Sequence, residues 1–460
     1  MTTEHEEKAT ATKARDADLI KTGDCVILLD RTRRYQHITV GSKHKQRLNR
    51  LKVANLGIVQ HKPYGSVFEL KSKELQEIAS SQWQTLQEQT NLDYAHNEDR
   101  DNSALFHHTD NQQLSQIDIL KLKADASTFN EETLISKIAE SSKTFHLKTE
   151  FSKEKYLKSK KAKHTSKFIT LKANSCNLAE MYFHRKPEKT LGLRIDSVSQ
   201  ILSLANIHHD QHVLLVESCT GLLVGSVAER MHGVGRIFNV YCEKNPVLEI
   251  ANSMFYLSAA EMQIVYNVNI GLFNDKLWME DSEETRKQLE QIVDTNSKLA
   301  KFKESRVSLY QIKQWIKFEK CDSLLICCKY RPLALLKHLY RYLEYGSPFV
   351  VWSEFVQPLV EIKQWFESNG DGDGEEEVEA VGLKVYENWF REQQVLPQRT
   401  HPMVNMQHMG GYILSGTKVR LRPSRKQWNE RNAQKSEDEN ERDNGYDAPC
   451  LKKRKLSDLH

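Results

Sequence analysis

Four short apolar runs, separated by stretches of helical spacing, constrain this chain more than any other feature. They are His212-Val213-Leu214-Leu215-Val216-Glu217, Arg236-Ile237-Phe238-Asn239-Val240-Tyr241, Ser323-Leu324-Leu325-Ile326-Cys327 and Pro348-Phe349-Val350-Val351-Trp352. Apolar runs this short and continuous fit strands buried on both faces. A helix over about 223–231 follows the first run, and Gly233 and Gly235 end it before the second. The β-α-β-α order predicts a largely parallel sheet with helices on both faces, a Rossmann-like α/β fold over residues 173–419. Within it, a charged stretch at about 276–320 reads as a helical insertion, and Asp371 to Glu379 as an acidic surface loop.

A chain of 460 residues predicts two or three domains. Residues 1–17 are polar and read as disordered. Residues 18–75 read as a small β-barrel-like domain: Cys25 to Leu29 is a buried run, and Ile58-Val59 and Val67 to Leu70 read as strands flanking a turn at Pro63-Tyr64-Gly65-Ser66. Residues 76–112 read as a polar linker. Residues 113–172 read as a helical basic segment, from the spacing of Ile117, Leu120, Leu134, Ile135 and Ile138. Residues 420–460 read as a disordered tail. Its basic cluster Lys452, Lys453, Arg454 and Lys455 follows Pro449 and suits nuclear import, although chance clusters occur in such tails.

The net charge of +4 hides a local imbalance. Between Lys148 and Lys167 eight lysines face only Glu150 and Glu154, a local charge of +6. None of the eight cysteines forms a C-x-x-C pair, which argues against a zinc site. No stretch of about 18 apolar residues is present, so no membrane span is expected. A soluble protein of a reducing compartment is the simplest expectation.

The turn after the first strand of such a sheet is where a nucleotide-like cofactor binds. An S-adenosylmethionine site needs a turn of the form E/D-x-G-x-G-x-G, whose glycines let the backbone approach the cofactor and take positive φ. Here the turn is Glu217-Ser218-Cys219-Thr220-Gly221-Leu222-Leu223, with Gly221 as the single glycine. Cys219 and Leu223 are expected to put side chains where the cofactor needs room. The acid that should end the second strand is Tyr241, which cannot accept paired ribose hydrogen bonds as a carboxylate does. Glu243 stands two residues further on. The acid that adenine-N1 methyltransferases carry after the fourth strand falls at Cys327. A lone glycine after a strand is common in α/β folds, so the turn alone is weak evidence.

Four blocks carry a family resemblance. They are Pro63-Tyr64-Gly65-Ser66-Val67-Phe68-Glu69; Lys148 to Tyr156 with the lysines after it; Glu217-Ser218-Cys219-Thr220-Gly221-Leu222; and Arg391 to Pro402 followed by Gly410-Gly411-Tyr412-Ile413-Leu414-Ser415-Gly416. In these the chain resembles the non-catalytic subunit of the two-subunit tRNA adenine-N1 methyltransferase, which makes 1-methyladenosine at position 58. The resemblance runs from about Ile20 to Val419, with a poor match in the linker and the insertion and a different spacing from Gly57 to Pro63. It implies an N-terminal β-barrel and a degenerate Rossmann-like methyltransferase domain. It further implies no cofactor on this chain, S-adenosylmethionine on a homologous catalytic partner, a heterotetramer of two such pairs, and tRNA bound across both kinds of subunit.

The expected tRNA contacts follow from charge and stacking. They are Lys153, Lys155, Tyr156, Lys158, Lys160, Lys161 and Lys163 in the basic run, and Tyr182, Arg185, Lys186 and Lys189 before the Rossmann core. Lys329 beyond the fourth strand, and Arg391, Arg399 and His401 around Pro397, complete the set. A run of lysines reads equally as a solvated helix face, and His401 as a packed histidine. A self-sufficient RNA methyltransferase, and an RNA-binding translation-initiation factor with no methyltransferase partner, remain open at this point.

Overall fold

The computed structural model describes residues 19–31, 33–41, 47–48, 51–52, 57–71, 74–81, 83, 112–115, 118–119, 122, 131–149, 152–153, 155–157, 159–160, 167–274, 276–291, 307–368, 379–394, 400–403 and 409–420. Seven strands precede the Rossmann-like part: β1 (Cys25–Asp30), β2 (Tyr35–Thr39), β3 (Arg47–Leu48), β4 (Leu51–Lys52), β5 (Val67–Lys71), β6 (Glu74–Ile78) and β7 (Lys167–Lys172). Five of them form an antiparallel sheet in the order β2-β1-β7-β5-β6.

Strand β1 explains how this sheet joins the rest of the chain. Its side chains alternate between two faces. Val26 and Leu28 enter a small core with Ile20, Ile38, Val59, Phe68 and Phe168. Cys25 and Ile27 face the other way, into the core of the Rossmann-like domain. One strand therefore belongs to two cores, and the two parts share a buried seam.

Two expectations need correction here. Ile58 and Val59 lie in the 3-10 turn Gly57–Val59 and not in a strand. Lys167–Lys172, assigned above to the helical basic segment, is strand β7 at the centre of the N-terminal sheet. Phe168 and Thr170 alternate inward there, a period of two that short helical spacing upstream obscured.

The second sheet contains β8 (Gln211–Glu217), β9 (Gly235–Tyr241), β10 (Val265–Asn269), β11 (Ser323–Cys327), β12 (Pro348–Ser353), β13 (Glu379–Trp389) and β16 (Met409–Val419). The two-residue strands β14 (Gln393–Gln394) and β15 (His401–Pro402) pair outside it. The order is β10-β9-β8-β11-β12-β16-β13. Strands β8 to β12 are parallel, and β16 lies antiparallel between β12 and β13. The four apolar runs are thus β8, β9, β11 and β12, and the fold is the expected Rossmann-like methyltransferase architecture.

The described part of the charged insertion is helical and packs into the core. Its helices Lys276–Met279, Glu283–Gln291 and Leu309–Gln314 bring Trp278, Leu289, Leu309 and Ile312 into the core on one face of the sheet. Trp278 donates its indole N–H to the Tyr342 hydroxyl at 3.1 Å. Lys313 is buried, and its ammonium reaches Asp281 at 2.8 Å and the carbonyls of Leu277 and Glu280 at 3.2 and 2.7 Å. Those bonds satisfy a charge that burial would otherwise penalise.

Candidate functional site

The C-terminal ends of β8, β9 and β11 meet at one edge of the sheet, where ligands of such folds sit. A cleft there is lined by Glu217, Thr220, Asn239, Tyr241, Glu243, Lys329 and Tyr330, among others.

Glu217 ends β8 and caps the helix Leu222–Met231. Its carboxylate accepts the backbone N–H of Gly221, of Leu223 at 2.9 Å and of Val224 at 3.4 Å. These are the donors that the first turn of a helix leaves without partners. Burial pushes the Glu217 carboxyl up to about 7, against the opposing pull of those three N–H groups. Glu217→Gln places an NH2 group against one of those donors. The expected cost is about 1–3 kcal/mol, read as faster hydrogen exchange at Gly221, Leu223 and Val224. Unchanged protection there would show that Glu217 does not cap this helix.

The turn itself departs from a cofactor cradle. Thr220 is β-branched yet sits in the left-handed region at φ 59°, where such residues are outliers. Its hydroxyl donates to the Lys189 carbonyl, and its own carbonyl accepts from Ile250 N–H at 2.9 Å. The cleft wall is thereby tied to two neighbouring segments.

Cys219 and Leu223 do not project into the cleft, contrary to the sequence expectation. Both side chains are fully buried in the apolar core beneath the turn. The Cys219 sulfur lies 3.4 Å from that of Cys327 at the end of β11. The hydrogen bond to Cys327, together with burial, holds the Cys219 thiol well above its usual range; burial does the same for Cys327. Two neutral, buried thiols are inert packing. No acid stands at position 327.

An ion pair lines the cleft. Lys329 approaches Glu243 at 2.7 Å, and the Tyr330 hydroxyl donates to the same carboxylate. These partners hold the Glu243 carboxyl below the usual range. Tyr241 lines the cleft with a phenol where a cofactor's ribose would need a carboxylate. Of the two acids lining the cleft, Glu243 is paired with Lys329 and Glu217 is engaged by the helix N–H groups. The residues present therefore do not fit S-adenosylmethionine. This bridge escaped the sequence reading because Glu243 and Lys329 are far apart in the chain; their position after β9 and β11 was the available signal.

The expected RNA contacts are spread over several surfaces. Lys155 is exposed and Lys153 half-buried. Tyr156 already has neighbours: Phe145 tilts against it at 5.5 Å, Lys160 lies 5.0 Å over the ring, and its hydroxyl donates to Gln112 at 3.3 Å. Tyr182 is a core residue, 6% exposed, and is no stacking platform. Arg185 and Lys186 are exposed, while Lys189 pairs with Glu249 at 3.0 Å. Lys329 is exposed but engaged as described. Arg391 and His401 are exposed. Lys158, Lys161, Lys163, Arg399 and the cluster Lys452, Lys453, Arg454 and Lys455 lie outside the described residues. Among the described residues, no helix is long and apolar enough to cross a membrane, and no His/Cys/Asp/Glu group could hold a metal ion.

The chain is 32% identical over 440 residues to the tRNA (adenine(58)-N(1))-methyltransferase non-catalytic subunit trm6 of Dictyostelium discoideum, spanning 88% of this chain and 80% of that protein. Its identity to the Mus musculus protein of the same name is 29% over 421 residues, 77% of this chain and 80% of that one. Among solved structures, an S-adenosylmethionine-dependent O-methyltransferase from Thermotoga maritima aligns with a TM-score of 0.46 at 11% identity, covering 89% of this chain and 97% of that one. The tRNA (m1A58) methyltransferase TrmI from Aquifex aeolicus aligns with a TM-score of 0.35 at 15% identity, covering 55% and 79%. The Gcd10p family model matches residues 19–303, more than half of the sequence, and the chain belongs to the Gcd10p family.

Proposed function

We propose that this chain is the non-catalytic, tRNA-holding subunit of a methyltransferase complex that forms 1-methyladenosine at position 58 of tRNA. The observation that carries the reading is the cleft. The methyltransferase topology is retained, yet Tyr241 replaces the ribose acid and a Lys329–Glu243 ion pair lines the cleft. The chemistry then needs a homologous partner that binds S-adenosylmethionine.

A partner surface is available on β13, the last strand of the sheet. Val381, Val385 and Trp389 lie along it and are 48%, 39% and 66% exposed. An apolar edge strand of this kind is an association surface unless covered. We assign it to the catalytic subunit, with two such pairs forming a heterotetramer. The basic cluster Lys452 to Lys455 would direct the chain to the nucleus.

Calorimetric titration of the co-purified complex with S-adenosylmethionine tests the reading. We expect one site for each pair of unlike chains, and no micromolar binding by this chain alone. Two sites per pair would overturn it. The two rival functions make other predictions: a self-sufficient enzyme would bind cofactor unaided, and an initiation factor would not co-purify with a methyltransferase.

A further inference from the structure

A second cavity, of about 210 Å³, opens at the seam between the two sheets' domains. His37 of β2 forms one wall; Tyr182, Arg185, Lys186, Lys189 and Glu249 form the other. Charge in it is unbalanced. Glu249 is matched by Lys189, whereas Arg185 and Lys186 have no carboxylate partner among the described residues. Arg185 is instead held 3.4 Å from the His37 Nδ1 atom.

The plain explanation is that Arg185 and Lys186 close the helix Ser175–Arg185, whose C-terminal end favours cations. That accounts for the two cations on the helix. It does not account for a histidine brought against them from another domain. Tyr182 lines the same cavity. Tyr182 is 94% buried on the exposure given above, and its hydroxyl finds only the Met254 sulfur at 3.0 Å, a weak acceptor. Burial raises the Tyr182 phenol to about 12, so it remains a donor. Two unmatched cations and an under-used buried donor around one cavity suit an oxyanion.

We infer that this seam is a phosphate site, in which His37, Tyr182, Arg185 and Lys186 grip one backbone phosphate of the bound RNA and clamp the N-terminal sheet to the methyltransferase-fold domain. The inference rests on the proposed tRNA-holding role. It carries a proton signature. Burial first, then Arg185 and Lys186, lowers the His37 pKa, with Glu249 opposing; the Cys25 thiol beside it, raised to about 12, stays neutral. A phosphate between these groups offsets both cations and lets His37 take up a proton. Binding should therefore tighten as pH falls from 8 to 6, by up to about tenfold for each unit that the His37 pKa rises.

The test is tRNA affinity of the co-purified complex, measured by fluorescence anisotropy against salt at pH 8 and pH 6. Arg185→Ala with Lys186→Ala should flatten the log–log salt slope by roughly 0.7 to 0.9 for the lost contact. Arg185→Lys should recover part of it. His37→Asn should keep the slope at pH 8 and lose the tightening at pH 6. An unchanged slope in the double variant overturns the site. Calorimetric binding of inorganic phosphate without any change in the tRNA slope overturns RNA as the occupant. A wild-type complex that fails to bind tRNA sinks the functional reading and this site together, whereas a wild type that binds with a steep slope unaffected by the variants sinks the site alone.

Discussion

Methyl transfer to unmodified tRNA is expected only when this chain and its catalytic partner are both present, with either alone below about one-hundredth of the joint rate. The magnitude follows from positioning. A reacting base misplaced by about an ångström loses on the order of a hundredfold, and a subunit that holds the substrate sets that placement. This chain cannot supply the chemistry. Restoring glycine at Cys219 and Leu223 should not give it activity, because both positions are core and the defects at the cleft remain. Tyr241 still stands where the ribose needs an acid, Cys327 is still a buried thiol, and Lys329 still occupies Glu243. The measurement is transfer of labelled methyl groups by this chain, by the partner and by both. A partner that works alone at the full rate would refute the holding role.

How much of this was readable in the sequence depends on the range of the interaction involved. Strands β8, β9, β11 and β12 were legible because each is a continuous apolar run, a signal complete within six or seven residues. The absence of an acid at Tyr241 was legible because the position is defined as the last residue of the apolar run that forms β9. Strand β7 was not, because Lys167–Lys172 acquires its partners from β1 and β5, about 140 and about 100 residues earlier, and its alternation is only six residues long. The direction of the Cys219 side chain was also hidden. Spacing placed it in the turn, but whether it faces cleft or core is set by the backbone at Thr220 and Gly221, both in the left-handed region. The seam cavity depends on His37 meeting Arg185 across two domains, and no local pattern announces it.

The glycine pair Gly410-Gly411 in the last of the four sequence blocks has a structural cause, and this gives the largest expected effect on stability. Gly411 in β16 sits at φ 73°, and a Cβ there would meet the indole of Trp352 at 2.6 Å. Its neighbour Gly410 offers a carbonyl that accepts from the Trp352 indole N–H at 3.0 Å and from the Ser197 hydroxyl at 2.8 Å. The indole is therefore pinned and cannot yield. Gly411→Ala should cost about 1–2 kcal/mol for the left-handed backbone and about 1–3 kcal/mol more for forced overpacking. Gly346 is the control: it sits at φ 86° with nothing within 4 Å of its Cβ position, so Gly346→Ala meets only the backbone penalty. Denaturant unfolding of the co-purified complex, followed by tryptophan fluorescence, compares the two. Equal costs would mean that Trp352 moves aside and the close packing is not what selects glycine. The difference should also reach the partner surface. Among the described residues, strand β16 is the one neighbour of β13 in the sheet, so loosening it at Gly411 unsettles the edge that carries Val381 and Val385. Gly411→Ala should accordingly lower the yield of the two-chain complex more than Gly346→Ala does.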